Sequence, residues 1–239
     1  GKVSSNGDAT LVIESKGWYF VAGAQMSFPS PIFHMQVATV FGDYPIAGET
    51  AITDIFSEYS FDGKLPDTFV NDLEGFFFTG LVELPCPIIP TIDIDLLVVH
   101  GELVVSYGGM MSLGMNFAGP NNVYHIGQGG FVKLHIGIGA SVVVACAGAG
   151  LDFMYLIRGD GEYISDGTWW VQTEAGVTLT GSAYAGGGCC DSHCDWIEFC
   201  PCPCISKTFS GSVHGGILLR LGQGGPKFEI VLDKQGSEN

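Results

Sequence analysis

Positive charge is what this chain has least of. Nine of its 239 residues are Lys or Arg against 25 Asp or Glu, a formal charge of −16 at pH 7. Binding a phosphate backbone by counterion release requires Lys and Arg gathered on one face, and the same deficit sets the chain against an anionic membrane surface. Charged residues of either sign amount to 14 %, where an ordinary soluble domain carries about 25 %. Hydrophobic residues reach 46 %, too many for a disordered chain. The familiar catalytic templates are missing as well: no G-x-S-x-G, no phosphate-binding G-x-x-x-x-G-K-[ST], no H-E-x-x-H. An enzyme is therefore not expected, nor a bound cofactor. The opening GKVSSNGDATLVIE has no basic segment leading into an apolar one, and is read as lacking a signal peptide.

A sustained helical period is also absent, and period two takes its place. Odd positions from Leu103 to Phe117 are mostly large and apolar, with Ser106, Ser112 and Asn116 between them. Even positions from Tyr124 to Val144 are apolar apart from Gln128, while His125, Lys133, His135 and Ser141 alternate with them. Alternation resumes at Trp169–Ala183, Phe209–Leu221 and Phe228–Leu232. Residues suited to turns punctuate these runs at Gly119–Asn122, Gly159–Gly161, Ser165–Gly167 and Gly222–Pro226. The pattern predicts an all-β chain, an antiparallel sandwich or a curved sheet or barrel with long Gly-rich strands. The segment Ile136–Ile157 is 22 residues long and nearly uninterrupted by polar groups. Its four glycines, its Val-Val-Val run and Asp152 favour two strands joined near Gly148–Gly150 over a membrane helix.

An imperfect repeat occupies the first half. Gly17–Ile32 and Gly75–Ile88 each begin with Gly and three aromatics and end in Pro-x-Pro-Ile. Between them Ile46–Asn71 is acidic and less periodic, and is expected to hold a short helix near Thr50–Tyr59 or to form an excursion loop. The chain is accordingly divided into an N-terminal β unit with this excursion, residues 1–74, and a main antiparallel region, 75–239, containing a Cys-rich segment at 186–206.

Six of the eight cysteines, Cys189, Cys190, Cys194, Cys200, Cys202 and Cys204, fall within 16 residues. No C-x2-C knuckle occurs among them, and Pro201 and Pro203 hold the last three in extended backbone, so a local disulfide knot is expected rather than a Zn²⁺ site. Cys86 and Cys146 form a second candidate pair or are buried thiols. This cysteine usage predicts an extracellular or cell-surface location. Asp93 and Asp95 read as one solvated strand face. Asp160, Glu162 and Asp166 lack the order of a Ca²⁺ loop, so neither Zn²⁺ nor Ca²⁺ is expected. Arg158-Gly159-Asp160 matches the integrin-recognition tripeptide but is read as turn chemistry. On a continuous strand His125 and His135 stand about 33 Å apart and share no site. The adjacent aromatics Trp18-Tyr19-Phe20, Phe76-Phe77-Phe78 and Trp169-Trp170 alternate between faces, and a two-layer core is expected to absorb most of them.

So few charges leave apolar surface to be covered by copies of the chain or by neighbouring domains. The first expectation is a self-associating, disulfide-stabilised structural or interaction module of a secreted or surface assembly, such as a filament, surface layer or adhesin. The second is a membrane-inserting or pore-forming β-barrel, supported by strand length and weakened by faces that do not read as cleanly apolar and polar. A carbohydrate- or ligand-binding module is the third. The stretch GFFFTGLVELPCPIIPTIDIDLLVVHGELVVSYG, Gly75–Gly108, and the Gly-rich strands after it resemble segments of very large multidomain secreted bacterial proteins. That resemblance implies a processed or excerpted part of a longer polypeptide and carries no functional residues with it.

Overall fold

A computed structural model describes residues 4–29, 32–89, 91–96, 98–142, 145–187 and 205–238. In chain order the strands are β1 (Ser4–Glu14), β2 (Gly17–Pro29), β3 (Ile32–Tyr44), β4 (Leu73–Pro85), β5 (Ile92–Leu96), β6 (Val99–Asn116), β7 (Val123–Val142), β8 (Ala145–Ile164), β9 (Trp169–Gly187), β10 (Ile205–Gly222) and β11 (Lys227–Glu238). One helix, α1 (Thr50–Tyr59), and a 3-10 turn at Asp67–Phe69 lie between β3 and β4. All eleven strands belong to one antiparallel sheet in the order β1-β2-β3-β4-β6-β7-β8-β9-β10-β11, with β5 paired to β6 off this path. The sheet is not closed.

Alternation sets the faces, because partners across an antiparallel ladder point the same way. We call the face that carries α1 inner and the opposite face outer. Ile52, Ile55, Phe56 and Tyr59 of α1 recur at three- and four-residue intervals and are buried, which makes one apolar helical stripe. They pack with Tyr19, Val21 and Val40 on the sheet and with Phe69 and Phe77 in a single core. Gly23 makes this docking possible. A Cβ there would stand 2.2 Å from the Tyr59 ring.

Both halves of the sequence repeat are visible locally. Gly17 and Gly75 have positive φ, 136° and 148°. A Cβ at either would run into a partner carbonyl, that of Asp43 at 1.9 Å or of Met115 at 2.2 Å. Gly17 thus opens β2 and Gly75 stands two residues into β4, each just ahead of an aromatic triplet that points out, in and out. The helix at Thr50–Tyr59 stands where the sequence placed it. The division at residue 74 falls inside β4, which pairs with β3 from Tyr44 opposite Leu73 to His34 opposite Glu83.

Several expectations change. Gly159–Gly161 is no turn: it lies within β8, opposite Gln128–Ile126 of β7. Gly148–Gly150 is likewise inside β8, which reaches back to Ala145, opposite Val142. Gly148 makes room for a ring, since a Cβ there would stand 2.4 Å from Tyr184. The run read from Leu103 to Phe117 stays one strand through Gly108-Gly109, with Phe117 just beyond its end.

Candidate functional site: an apolar face backed by a charged one

The outer face is organised in rows. One unbroken ladder row reads Leu11, Phe20, Phe41, Phe76, Met115, Tyr124, Tyr163 and Trp169 across β1, β2, β3, β4, β6, β7, β8 and β9. Six of its eight side chains are aromatic, and two neighbouring pairs are in ring contact, Phe20 and Phe41 at 4.9 Å and Tyr124 and Tyr163 at 6.2 Å. Eight residues along the strands a second set of aromatics appears: Phe28 on β2, Phe33 on β3, Tyr107 on β6 and Tyr155 on β8. Eight residues of strand measure about 27 Å. The intervening outer positions are Ala22, Ala24 and Met26 on β2, Ile126, Gln128 and Gly130 on β7, and Gly161, Gly159 and Ile157 on β8. On β7 and β8 the apolar run continues past the second row to Ile138 and Leu151, both exposed.

Charge is sorted with equal strictness. Strands β6–β9 contain ten Asp, Glu, Lys, Arg or His residues: His100, Glu102, His125, Lys133, His135, Asp152, Arg158, Asp160, Glu162 and Glu174. Every one of them lies on the inner face by register. Charge is thus cleanly divided between the faces of these strands, although the inner face also buries apolar side chains such as Phe131 and Leu156. Counting each run separately concealed this, because only the register aligns one strand's odd positions with its neighbour's even ones.

Seven of the ten, His100, His125, His135, Asp152, Arg158, Glu162 and Glu174, have a charged or ionisable partner, as burial favours. His125 accepts or donates at both ring nitrogens, with Ser112 Oγ 3.0 Å from Nε2 and Glu162 Oε1 3.4 Å from Nδ1. Thr68 donates to Glu162 Oε1 at 2.7 Å and Trp170 Nε1 to Oε2 at 3.0 Å. Glu174 meets two partners, Arg158 Nε at 2.7 Å and His214 Nε2 at 2.9 Å, and Thr178 lies 2.8 Å from the other His214 nitrogen. Arg158 also binds Asp62. Farther along, His135 meets Asp152 at 2.8 Å. His125 and His135 therefore serve separate clusters on one continuous strand.

Ser112, His125 and Glu162 stand in the order of a hydrolytic triad, a grouping the sequence pattern did not reveal. At Ser112 β6 is flanked by β4 and β7, so its backbone N–H groups are committed to ladders rather than to an oxyanion. The cavity beside Ser112 measures about 10 Å³ and is covered by Phe61 and Asp62. It holds one water. This geometry fixes side chains; it does not prepare Ser112 for attack.

Residues 61–72 complete the inner side. Phe69, fully buried, rests on Phe77 and the His125 ring, at 5.3 and 6.3 Å between centroids. Asn116 donates to the Thr68 and Asp72 carbonyls at 3.0 and 2.8 Å. The acidic excursion of the sequence is thus a plug seated on the inner face. Outside the strands, the Tyr59 phenol is pushed above its ordinary range by its hydrogen bond to Asp8. In the β8–β9 turn the Thr168 N–H holds Asp166 below the usual carboxylate range.

Other sequence candidates find simpler places. Arg158 and Asp160 of the tripeptide face inward from mid-strand, so it is not displayed at a turn. Asp160 and Glu162 are strand residues, and only Asp166 is in a turn. Asp93 and Asp95 lie on the wholly exposed β5, with Asp95 against His100. Trp18, Phe20, Phe76, Phe78 and Trp169 point outward, whereas a two-layer core was expected to absorb most of the aromatics. Cys86 is a free, half-buried thiol. Its N–H binds Val105, whose row reaches Phe153 on β8, seven residues from Cys146 and three strands away. Seven residues of strand span about 23 Å, beyond the roughly 7 Å between Cα atoms that a disulfide bridges. Cys189, Cys190, Cys194, Cys200, Cys202 and Cys204 lie outside the described residues, as does the Cys146 side chain. Among the described residues, no group of three or more His, Cys, Asp or Glu is placed to hold a metal ion, and no helix is long and apolar enough to cross a membrane. No family model matches the chain, and no curated protein aligns with it.

Proposed function

We propose that this chain is a membrane-embedded β-sheet module whose outer face meets lipid and whose inner face lines a polar, plugged interior. The observation that carries this reading is the sorting of all ten Asp, Glu, Lys, Arg and His residues of β6–β9 to one face, behind an outer face bordered by aromatic rows. Transmembrane β-barrels present an apolar band about 25 Å tall between aromatic girdles, with polar groups inside. Eight residues between the rows reach about 27 Å along a strand, or about 20 Å vertically at a 40° tilt, and the apolar run beyond the second row on β7 and β8 supplies the remainder. Aromatic rings suit such borders because one edge is apolar and the other tolerates water. Strands of 18 to 20 residues, as in β6, β7 and β8, exceed the 9 to 11 or so a bilayer requires. The net charge of −16 disfavours attraction to anionic headgroups, so insertion rests on apolar area rather than on charge.

Flotation tests the reading. Refolded in the presence of neutral phosphatidylcholine vesicles, the chain should rise with the lipid and stay there through extraction at high salt and alkaline pH. Recovery in the soluble fraction after either treatment would sink it. A self-associating surface module is the other reading, favoured by the two open edges of the sheet. It differs in what covers the outer face: protein rather than lipid.

A further inference from the structure

The sheet ends in two strands, β1 and β11, each with one unpaired edge among the described residues. In hydrocarbon every unpaired backbone N–H or C=O costs several kcal/mol, so a membrane sheet must have no edges. Accepting the membrane reading, we infer that β1 of one copy pairs with β11 of a second copy, head to tail, so that several chains build one barrel. Three properties of the edges fit that junction. The path contains ten strands, an even number, so β1 and β11 run in opposite directions and their union continues an antiparallel ladder. Both edges have apolar outer positions, Ile13 at 76 % exposure on β1 and Ile230 at 76 % and Leu232 at 69 % on β11. Joining them extends the apolar face as far as Leu232, beyond which Lys234 is the next outer residue of β11. Head-to-tail pairing also keeps every copy in the same orientation across the bilayer, whereas β1 against β1 would invert alternate copies.

Size decides between a second copy and the chain's own β11. Ten strands spaced about 4.8 Å apart and tilted about 40° close on a backbone diameter of about 20 Å. Inward side chains take about 5 Å from each wall, leaving about 10 Å. A single helix, about 10–12 Å across, fills that space. The interior has more than a helix to hold. α1 lies on β1–β3, and residues 61–72 lie beside it on β4, β6, β7 and β8, where Asp62 meets Arg158 and Phe69 meets His125. These contacts are level with α1, since Phe69 sits on the ladder row of Val21, between those of Tyr19 and Gly23. Two elements side by side need a wider ring than one chain can close.

Isotope mixing distinguishes the outcomes. Full chains grown in ¹⁴N and in ¹⁵N, with p-benzoylphenylalanine in place of Leu11, are mixed in equal amounts, refolded into phosphatidylcholine vesicles, irradiated and mapped by mass spectrometry. About half of the cross-links from position 11 to residues 227–234 should join a light chain to a heavy one. Cross-links to that stretch within single isotopes only would show that the chain closes on its own β11 and overturn the inference. Hybrid cross-links from position 11 to β1, or none to β11, would overturn it as well. Ile13, still more exposed, is a second site should the first disturb folding. Flotation of the same samples separates the two claims: vesicle-bound protein without hybrid cross-links refutes the junction alone, and hybrid cross-links in protein that does not float refute the membrane reading alone.

Discussion

Replacing Ile157 by Arg separates lipid from water as the neighbour of the outer face. Ile157 lies midway along the apolar run of β8, six residues from Tyr163 and six from Leu151, and is 47 % exposed. On a face turned to water, exchanging so open a side chain is worth within about 0.5 kcal/mol either way. At the middle of a bilayer an Arg on the lipid face of a barrel costs about 2–4 kcal/mol, a change of about 30- to 900-fold in the folding equilibrium. Thr180→Arg provides the control, since Thr180 faces inward opposite Asp152 and Ser212. The assay is urea-dependent folding into phosphatidylcholine vesicles, followed by tryptophan emission and by heat-modified migration on gels. The outer substitution should lower stability by the larger figure and the inner one by less than 1 kcal/mol or so. Equal, small effects at both positions would refute the argument, because they would mean that neither face meets hydrocarbon.

Other perturbations probe the inner side. Gly23→Ala drives a methyl group into the Tyr59 ring; overpacking of this kind costs about 1–3 kcal/mol, visible as a lower urea midpoint and earlier proteolysis within residues 50–72. Phe69→Ala empties a fully buried site and should cost about 3–5 kcal/mol in the same titration. The Tyr59 phenol is raised by Asp8, so its contribution is complete below the ordinary phenol pKa and is lost as pH climbs through the raised value. Wild type should therefore lose stability above about pH 10 more steeply than Tyr59→Phe, and parallel pH profiles would count against that hydrogen bond. Intact mass under denaturing conditions, before and after reduction, should differ by about two daltons for each cystine in Cys189–Cys204, with Cys86 alkylated without reductant. Six further thiols open to alkylation before reduction would remove the disulfide knot.

Period two made the long strands from β6 onward legible from sequence, and turn residues located the β6–β7, β8–β9 and β10–β11 connections. Two misreadings share one cause. Gly159–Gly161 and Gly148–Gly150 look like turns to any rule that equates clustered glycine with reversal. Here Gly148 instead leaves room beneath Tyr184, a residue 36 positions away. The clean division of the two faces was equally hidden, because whether His125 and Glu162 share a side depends on which residue stands opposite which. Helix α1 was foreseeable. Its destination was not: the contacts of Asp62 with Arg158 and of Thr68 with Glu162 join residues 96 and 94 positions apart. The grouping of Ser112, His125 and Glu162 was illegible for the same reason, since three neighbouring strands contribute one residue each.

The central claim is that one face meets lipid and the other does not, and two adjacent residues test it. Trp169 points outward from the aromatic row, while Trp170 points inward, donating to Glu162 and lying 4.7 Å from the Arg220 guanidinium. With Trp18 and Trp196 changed to Phe, variants retaining only Trp169 or only Trp170 are refolded into vesicles containing brominated phosphatidylcholine. The account predicts strong quenching and blue-shifted emission for Trp169, and weak quenching with red-shifted emission for Trp170. Equal quenching of the two, or quenching of Trp170 alone, would contradict it.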